Sequence, residues 1–147
     1  MIRGGGAGFA GTIAMTAVIA AEKLSGLMTE KPAPALVSAH VEMAVGLRAH
    51  LPEPVFQVSW LLQHFGYGVT AGVGYALVRT LLPVEKPLRA GTMYGIGLYL
   101  IGYAGWLPLM RLYPPPTRNP RRKVVMLVVE HIVFGTTTAL TYRALSA

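Results

Sequence analysis

The sequence predicts an all-α polytopic membrane protein: a four-transmembrane-helix bundle with one interfacial amphipathic helix. Of its 147 residues, 53% are hydrophobic and only 13% are charged, whereas soluble domains carry about 25% charged residues. Four apolar segments also approach the length of about 20 residues that crosses a bilayer as a helix. This chain length accommodates one membrane domain over residues 1–147.

The first predicted span covers residues 4–21 and is rich in small residues. Gly4 and Gly8 have the GxxxG spacing, and Thr12 continues the same helix face. Small residues let two helix backbones approach closely, so we expect this face to pack against another span. A signal peptide has a similar apolar run, but only one basic residue, Arg3, precedes this run. We therefore interpret it as a retained span.

Residues 35–50 are too few and too polar to cross a bilayer. Their apolar positions roughly follow helical spacing, with His40, Glu42 and Arg48 between them. This pattern predicts an amphipathic helix that lies at the membrane interface.

Three further spans are predicted over residues 55–78, 88–107 and 124–145. The first of these contains no Lys, Arg, Asp or Glu, and the second carries a GxxxG pair, Gly91 and Gly95. Proline-containing loops separate the spans. Four spans place both termini on one side of the membrane, so the spans over residues 55–78 and 124–145 begin on the same side.

The chain is basic, with 13 Lys and Arg residues, 6 Asp and Glu residues and a net charge of +7. In a soluble protein this excess would suggest nucleic acid as a partner. Here the basic residues lie between apolar spans, so we expect the bilayer and its anionic headgroups as partners, and no nucleic acid. The strongest cluster, which we predict to contact headgroups, is Arg118, Arg121, Arg122 and Lys123.

Polar side chains within the spans indicate a site or an interhelical contact, because they are costly in lipid. His64 and His131 both lie roughly 10–14 Å from the starts of their spans at about 1.5 Å per residue. Since these spans begin on the same side, the histidines are predicted at one depth. The predicted polar intramembrane site comprises Glu22, Gln63, His64, Tyr67, Glu130 and His131.

Four interpretations of this site are open. Its side chains could bond to one another and hold the bundle together, or they could form a proton- or ion-responsive site, since histidine titrates near neutral pH. His64, His131 and Glu130 could also bind a divalent metal, although the HxxxH and ExxH spacings are absent. Finally, the two histidines could be axial ligands of a haem. The sequence therefore leaves the cofactor unknown.

Several kinds of enzyme are excluded or disfavoured. The chain has no Cys, which excludes disulfides, thiolate metal sites and cysteine nucleophiles. It also contains no GxSxG, P-loop or HExxH motif. We therefore expect a protein that is not an enzyme.

Short motifs follow one another over residues 60–143: His64-Phe65, Gly74-Tyr75, Leu81-Leu82-Pro83, Pro108-Leu109, Pro114-Pro115 and HIVF at residues 131–134. Their order and spacing resemble the YagU-like family of bacterial inner-membrane proteins. The resemblance implies a multi-pass inner-membrane protein connected with acid tolerance, with histidines at the positions of His64 and His131. The chain differs from that family in a shorter first loop and a more basic third loop.

Two functions follow from these observations. The first is a non-enzymatic inner-membrane protein whose buried His/Glu site responds to protons or a small ion. The second is an accessory subunit of a larger membrane complex that contacts lipid or cofactor-bearing partners. The second function is suggested by the abundance of glycine faces suited to close helix packing.

Overall fold

The structure is a computed structural model that describes residues 1–82 and 86–147. Its described residues form helices and connecting turns, with no strand among them, which confirms the all-α prediction. Pro83, which belongs to one of the motifs above, lies outside the described residues.

Five helices account for most of the chain. They are α1 (Ile2–Leu24), α2 (Ala33–Ala44), α3 (Glu53–Leu81), α4 (Pro87–Ile101) and α5 (Arg121–Ala144). Short 3₁₀ turns lie at Arg48–His50 and Pro116–Arg118.

Two helices differ from the predicted ranges for identifiable reasons. Helix α2 ends at Ala44, six residues before the predicted end, because Gly46 adopts a φ of 75°, a left-handed conformation that ends helices. Helix α4 changes at Ile101 into a π-helical turn, Gly102–Trp106, and remains helical through Leu107–Leu109. Pro108 lacks an N–H group and its ring excludes the carbonyl four residues earlier, so the backbone widens there.

Helix α1 packs against both α3 and α5, and α4 packs against α5. Glycines allow these contacts: a Cβ atom added at Gly4 would lie 2.8 Å from the Gly72 carbonyl oxygen on α3. A Cβ atom added at Gly91 would lie 2.5 Å from the Gly135 carbonyl oxygen on α5. Both of these glycines and their GxxxG partners therefore lie where helix backbones meet.

Two contacts complete the bundle around its central helices. The Tyr94 hydroxyl of α4 donates a hydrogen bond to the Ala71 carbonyl of α3 at 2.5 Å. Helix α2 packs against α3 and buries Ser38 and Glu42. This arrangement leaves a space that α2 covers between α3 and α4.

Two helices among the described residues, Ile2–Leu24 and Arg121–Ala144, are long and apolar enough to cross a membrane. Their length and composition fit a helical membrane protein.

Candidate functional site

A cavity of about 240 Å³ lies between the five helices. Helix α2 covers one side, and the π-helical turn after α4 forms part of another. Its polar lining residues are Thr12, Ser38, Gln63, His64, Tyr67, Tyr103, Trp106 and His131. The structure thus brings to one cavity the two histidines that the sequence predicts at one depth.

The orientation of His131 is fixed by its own helix. Its Nδ1 atom lies 2.7 Å from the Leu127 carbonyl oxygen. Because a carbonyl only accepts, Nδ1 carries the hydrogen, and Nε2 of the neutral ring is an acceptor. The rings of Tyr99 and Tyr103 pack against the imidazole in T-shaped arrangements, at centroid distances of 5.7 and 5.3 Å. His131 therefore presents a single acceptor nitrogen away from its helix.

His64 is oriented by helix α1. Its Nε2 atom lies 3.3 Å from the Thr16 hydroxyl oxygen, and that hydroxyl donates to the Thr12 carbonyl at 2.7 Å. The Thr16 oxygen therefore accepts from His64, whose Nε2 carries the hydrogen. Within residues 1–82 and 86–147, no hydrogen-bond partner of His64 Nδ1 is present.

The π-helical turn contributes Gly102, Tyr103 and Trp106 to the cavity. Gly102 is buried, yet a Cβ atom added there would meet no atom within 4 Å. This glycine therefore borders the open space of the cavity. Single π-helical turns are frequent at functional sites, and nothing in the sequence apart from Pro108 indicates this one.

Glu42 on α2 forms hydrogen bonds with α3. The sequence did not indicate this role, because Glu42 is one of the polar positions of a predicted amphipathic helix. Its carboxylate accepts hydrogen bonds from Ser59 at 2.5 Å and from Gln63 at 3.1 Å. Gln63 thus helps to hold α2 over the cavity. Tyr67, which is 51% exposed, lies at the edge of the cavity.

The two predicted glutamates form a separate polar group. Glu130 is 1% exposed and Glu22 is 8% exposed, and their carboxyl groups interact with each other. Neither lines the histidine cavity. Successive residues of a helix point about 100° apart, so Glu130 and its neighbour His131 face different sides of α5.

The surroundings of the glutamate pair contain several titratable groups. Glu130 interacts electrostatically with Tyr103 and Tyr113. Both Glu130 oxygens and the Tyr113 hydroxyl are buried without a hydrogen-bond partner among the described residues. A second cavity, of about 200 Å³, extends from Glu130 to Glu30 and Lys123.

Lys123 connects this region to the surface. Its ammonium group lies 2.5 Å from the Glu30 carboxylate. The hydrogen bond from Lys123, and then its charge, lower the pKa of Glu30. Lys123 therefore has a carboxylate partner within the chain, and its predicted contact with headgroups stays a prediction. Arg122 reaches the Gly26 carbonyl at 3.3 Å, while Arg118 and Arg121 are exposed.

The metal interpretation requires three ligands at one point. The described parts of the chain contain no group of three His, Asp or Glu side chains that could hold a metal ion. The physical reason is that His64 and His131 line the cavity on one side of α5, whereas the Glu130 side chain lies on another side of that helix.

Comparison with known proteins identifies the family. A model of a family of unknown function, DUF6789, matches residues 1–147, and the chain therefore belongs to that family. No curated protein matches the chain. No solved structure matches it either.

Proposed function

We propose that this member of the DUF6789 family is a non-enzymatic, four-span protein of the bacterial inner membrane whose buried His and Glu residues take up protons. The observation that carries the proposal is the burial of two carboxyl groups, Glu22 and Glu130, that interact electrostatically with each other. Two carboxylates in contact cannot both be charged without a compensating cation. One bound proton removes this repulsion.

Helix lengths support four spans. Helix α3, Glu53–Leu81, is long enough to cross, and its residues 55–78 contain no charged side chain. Helix α4 alone has 15 residues, but its π-helical turn and final turn extend the helical path through Leu109. A continuous path over residues 87–109 exceeds the length of about 20 residues that a crossing needs.

The neutral imidazoles of His64 and His131 each keep one nitrogen that can accept a proton. His131 is the next residue after Glu130, so the carboxyl pair and the cavity share one short stretch of α5. The resemblance of residues 60–143 to the YagU-like family, with its implied connection to acid tolerance, agrees with this proposal.

The basic surface suggests how the protein meets the bilayer. Arg118, Arg121 and Arg122 are exposed at the start of α5, next to the predicted membrane surface. Anionic headgroups attract such residues by about 1 kcal/mol each.

The test is proton release from purified protein in proteoliposomes after an alkaline pH jump, followed with a pH-sensitive dye. Glu130→Gln should release about one proton fewer per chain than the wild type. The double variant His64→Gln/His131→Gln should lose only the part of the release that the two imidazoles supply. Glu53→Gln, at an exposed carboxylate paired with Arg48, is the control for general changes. Equal release by the wild type and Glu130→Gln would contradict the proposal.

An accessory role in a larger complex is the second candidate. Gly66 on α3 and Gly97 on α4 have no atom within 4 Å of an added Cβ, so these glycines serve no close contact in the described chain. Glycine on an outer helix face allows another helix to approach. Purification in mild detergent as a monomer without a co-purifying subunit would count against this role.

A further inference from the structure

The size of the histidine cavity limits its occupant. A cavity of about 150 Å³ accommodates benzene, and this cavity measures about 240 Å³. The space therefore fits one aromatic ring with a few substituent atoms.

The lining favours a flat ring over a flexible chain. Tyr67, Tyr103, Trp106 and Phe134 contribute aromatic side chains from three helical segments. Aromatic rings prefer edge and offset contacts with other rings, worth about 0.5–1.5 kcal/mol beyond the area they bury.

The hydrogen-bonding groups specify what the ring must carry. Nδ1 of His131 and Nε2 of His64 carry the ring hydrogens, because each meets an acceptor oxygen. The neutral imidazoles therefore have acceptor nitrogens left over, Nε2 of His131 and Nδ1 of His64. A ligand that pairs with an acceptor must donate, so it needs a hydroxyl group and not a carbonyl.

An entrance exists between α3 and α4. Tyr67 and Trp106 line the cavity and are 51% and 38% exposed, so they mark its open side. In a bilayer this side faces the lipid, and an apolar substituent on the ring can extend through it.

We propose that the cavity binds a hydroxylated aromatic ring, of the kind found in the head of a quinol, with the ring hydroxyl donating to Nε2 of His131. The ring lies among Tyr103, Trp106 and Phe134, and its substituents point towards the opening between α3 and α4. This site does not depend on proton uptake by Glu22 and Glu130, because the glutamate pair lies outside the cavity.

Trp106 provides a direct readout of binding. In the full chain carrying Trp60→Phe, Trp106 is the one remaining tryptophan of the two in the sequence. A short-chain alkyl benzoquinol, added under anaerobic conditions to the protein in detergent, should change Trp106 fluorescence saturably. The matched benzoquinone, which has no hydroxyl hydrogen, should bind about tenfold more weakly. Equal binding of the two compounds, or no saturable change with the quinol, would overturn the proposal.

Two variants in this background assign the site. His131→Phe keeps a ring between Tyr99 and Tyr103 but removes the acceptor, so quinol binding should weaken about 5- to 10-fold. Gly102→Leu places a side chain in the cavity and should abolish saturable binding, with an unchanged thermal midpoint showing that the fold is intact.

His40→Phe is the matched control. The His40 Nδ1 atom lies 2.8 Å from the Leu36 carbonyl oxygen, as His131 does with Leu127, but His40 does not line the cavity. Its variant should bind the quinol like the parent. Undiminished binding by both His131→Phe and Gly102→Leu would show that the ring binds elsewhere and would overturn the proposal.

Discussion

Glu130 and His131 are neighbours on α5, yet they lie in opposite kinds of environment. His131 donates to the Leu127 carbonyl, packs between two tyrosine rings and lines a cavity of about 240 Å³. Glu130 is 1% exposed, and neither of its oxygens has a hydrogen-bond partner among the described residues. One residue is oriented and faces open space, whereas the other lacks the partners that its charge would need.

The sequence predicts a single site, but this difference assigns ligand binding to the surroundings of His131 and proton binding to the surroundings of Glu130. A side chain with a fixed orientation beside an open space is suited to hold a ligand. A buried carboxyl group beside a second carboxyl group is suited to hold a proton. Single substitutions can change one environment while leaving the other as intact as the chain allows.

The largest effect is expected from Gly95→Ala, which removes the contact that holds both environments together. A Cβ atom at Gly95 would collide with the backbone carbonyl of His131. Helix α4 would have to move away from α5, at a cost of about 1–3 kcal/mol in the free energy of unfolding. Unfolding in mixed micelles measures this loss. Gly97→Ala, two residues away with no atom within 4 Å, should cause none, and equal losses in the two variants would contradict the described packing.

Glu130→Gln should change how stability depends on pH. In the wild type, alkaline pH removes the shared proton and places two carboxylates in contact, so the free energy of unfolding falls as pH rises. In Glu130→Gln that fall should be smaller by about 1–2 kcal/mol, because only Glu22 can ionise. Unfolding curves at neutral and alkaline pH measure the slope. In His131→Gln the free energy of unfolding should depend on pH as it does in the wild type. A smaller pH dependence in His131→Gln would mean that the two environments are not separate.

Thr16→Val should affect only the cavity. The substitution removes the hydroxyl that accepts from His64 Nε2, at a cost of about 0.5–1.5 kcal/mol. Nitrogen NMR of the imidazole should show the Nε2–H tautomer of His64 in the wild type and a mixture in the variant. Thr70→Val is the control, since Thr70 donates to the Gly66 carbonyl on the exposed side of α3. An unchanged tautomer in Thr16→Val would rule out the assigned hydrogen bond.

The smallest effect is expected from Glu30→Gln, at the surface end of the carboxyl region. Lys123 lowers the pKa of Glu30 by a hydrogen bond and by its charge, so the pair stabilises the fold above the ordinary carboxyl pKa. This contribution is lost as pH falls through the lowered value. Acid unfolding of Glu30→Gln should therefore lack a small step that the wild type shows. High salt should reduce the step, and a salt-independent difference would contradict the ionic origin.

The helices could be predicted from the sequence because length, hydropathy and glycine spacing are local properties. The GxxxG pairs Gly4/Gly8 and Gly91/Gly95 lie where backbones meet, since small residues at this spacing have one main use between apolar helices. The end of α2 depends on the left-handed backbone at Gly46, and the π-helical turn depends on how the chain accommodates Pro108. Neither follows from a hydrophobic pattern.

Both histidines of the predicted site line one cavity, but the directions of the neighbouring side chains could not be predicted from the sequence. Counting residues along two spans is enough to expect His64 and His131 at one level. Which way each side chain faces depends on how the helices are rotated in the bundle, and this rotation separates Glu130 from His131. The role of Glu42 could not be predicted, because a charged residue on an amphipathic helix normally faces water. Glu42 instead accepts hydrogen bonds from Ser59 and Gln63.

The infrared spectrum of the protein at neutral pH shows whether Glu22 and Glu130 share a proton, because a protonated carboxyl group has a C=O band that a carboxylate lacks. We expect this band in the wild type and in His131→Gln, and its loss in the double variant Glu22→Gln/Glu130→Gln. Absence of the band from the wild type at neutral pH, or its persistence in the double variant, would contradict the claim that Glu22 and Glu130 hold a proton.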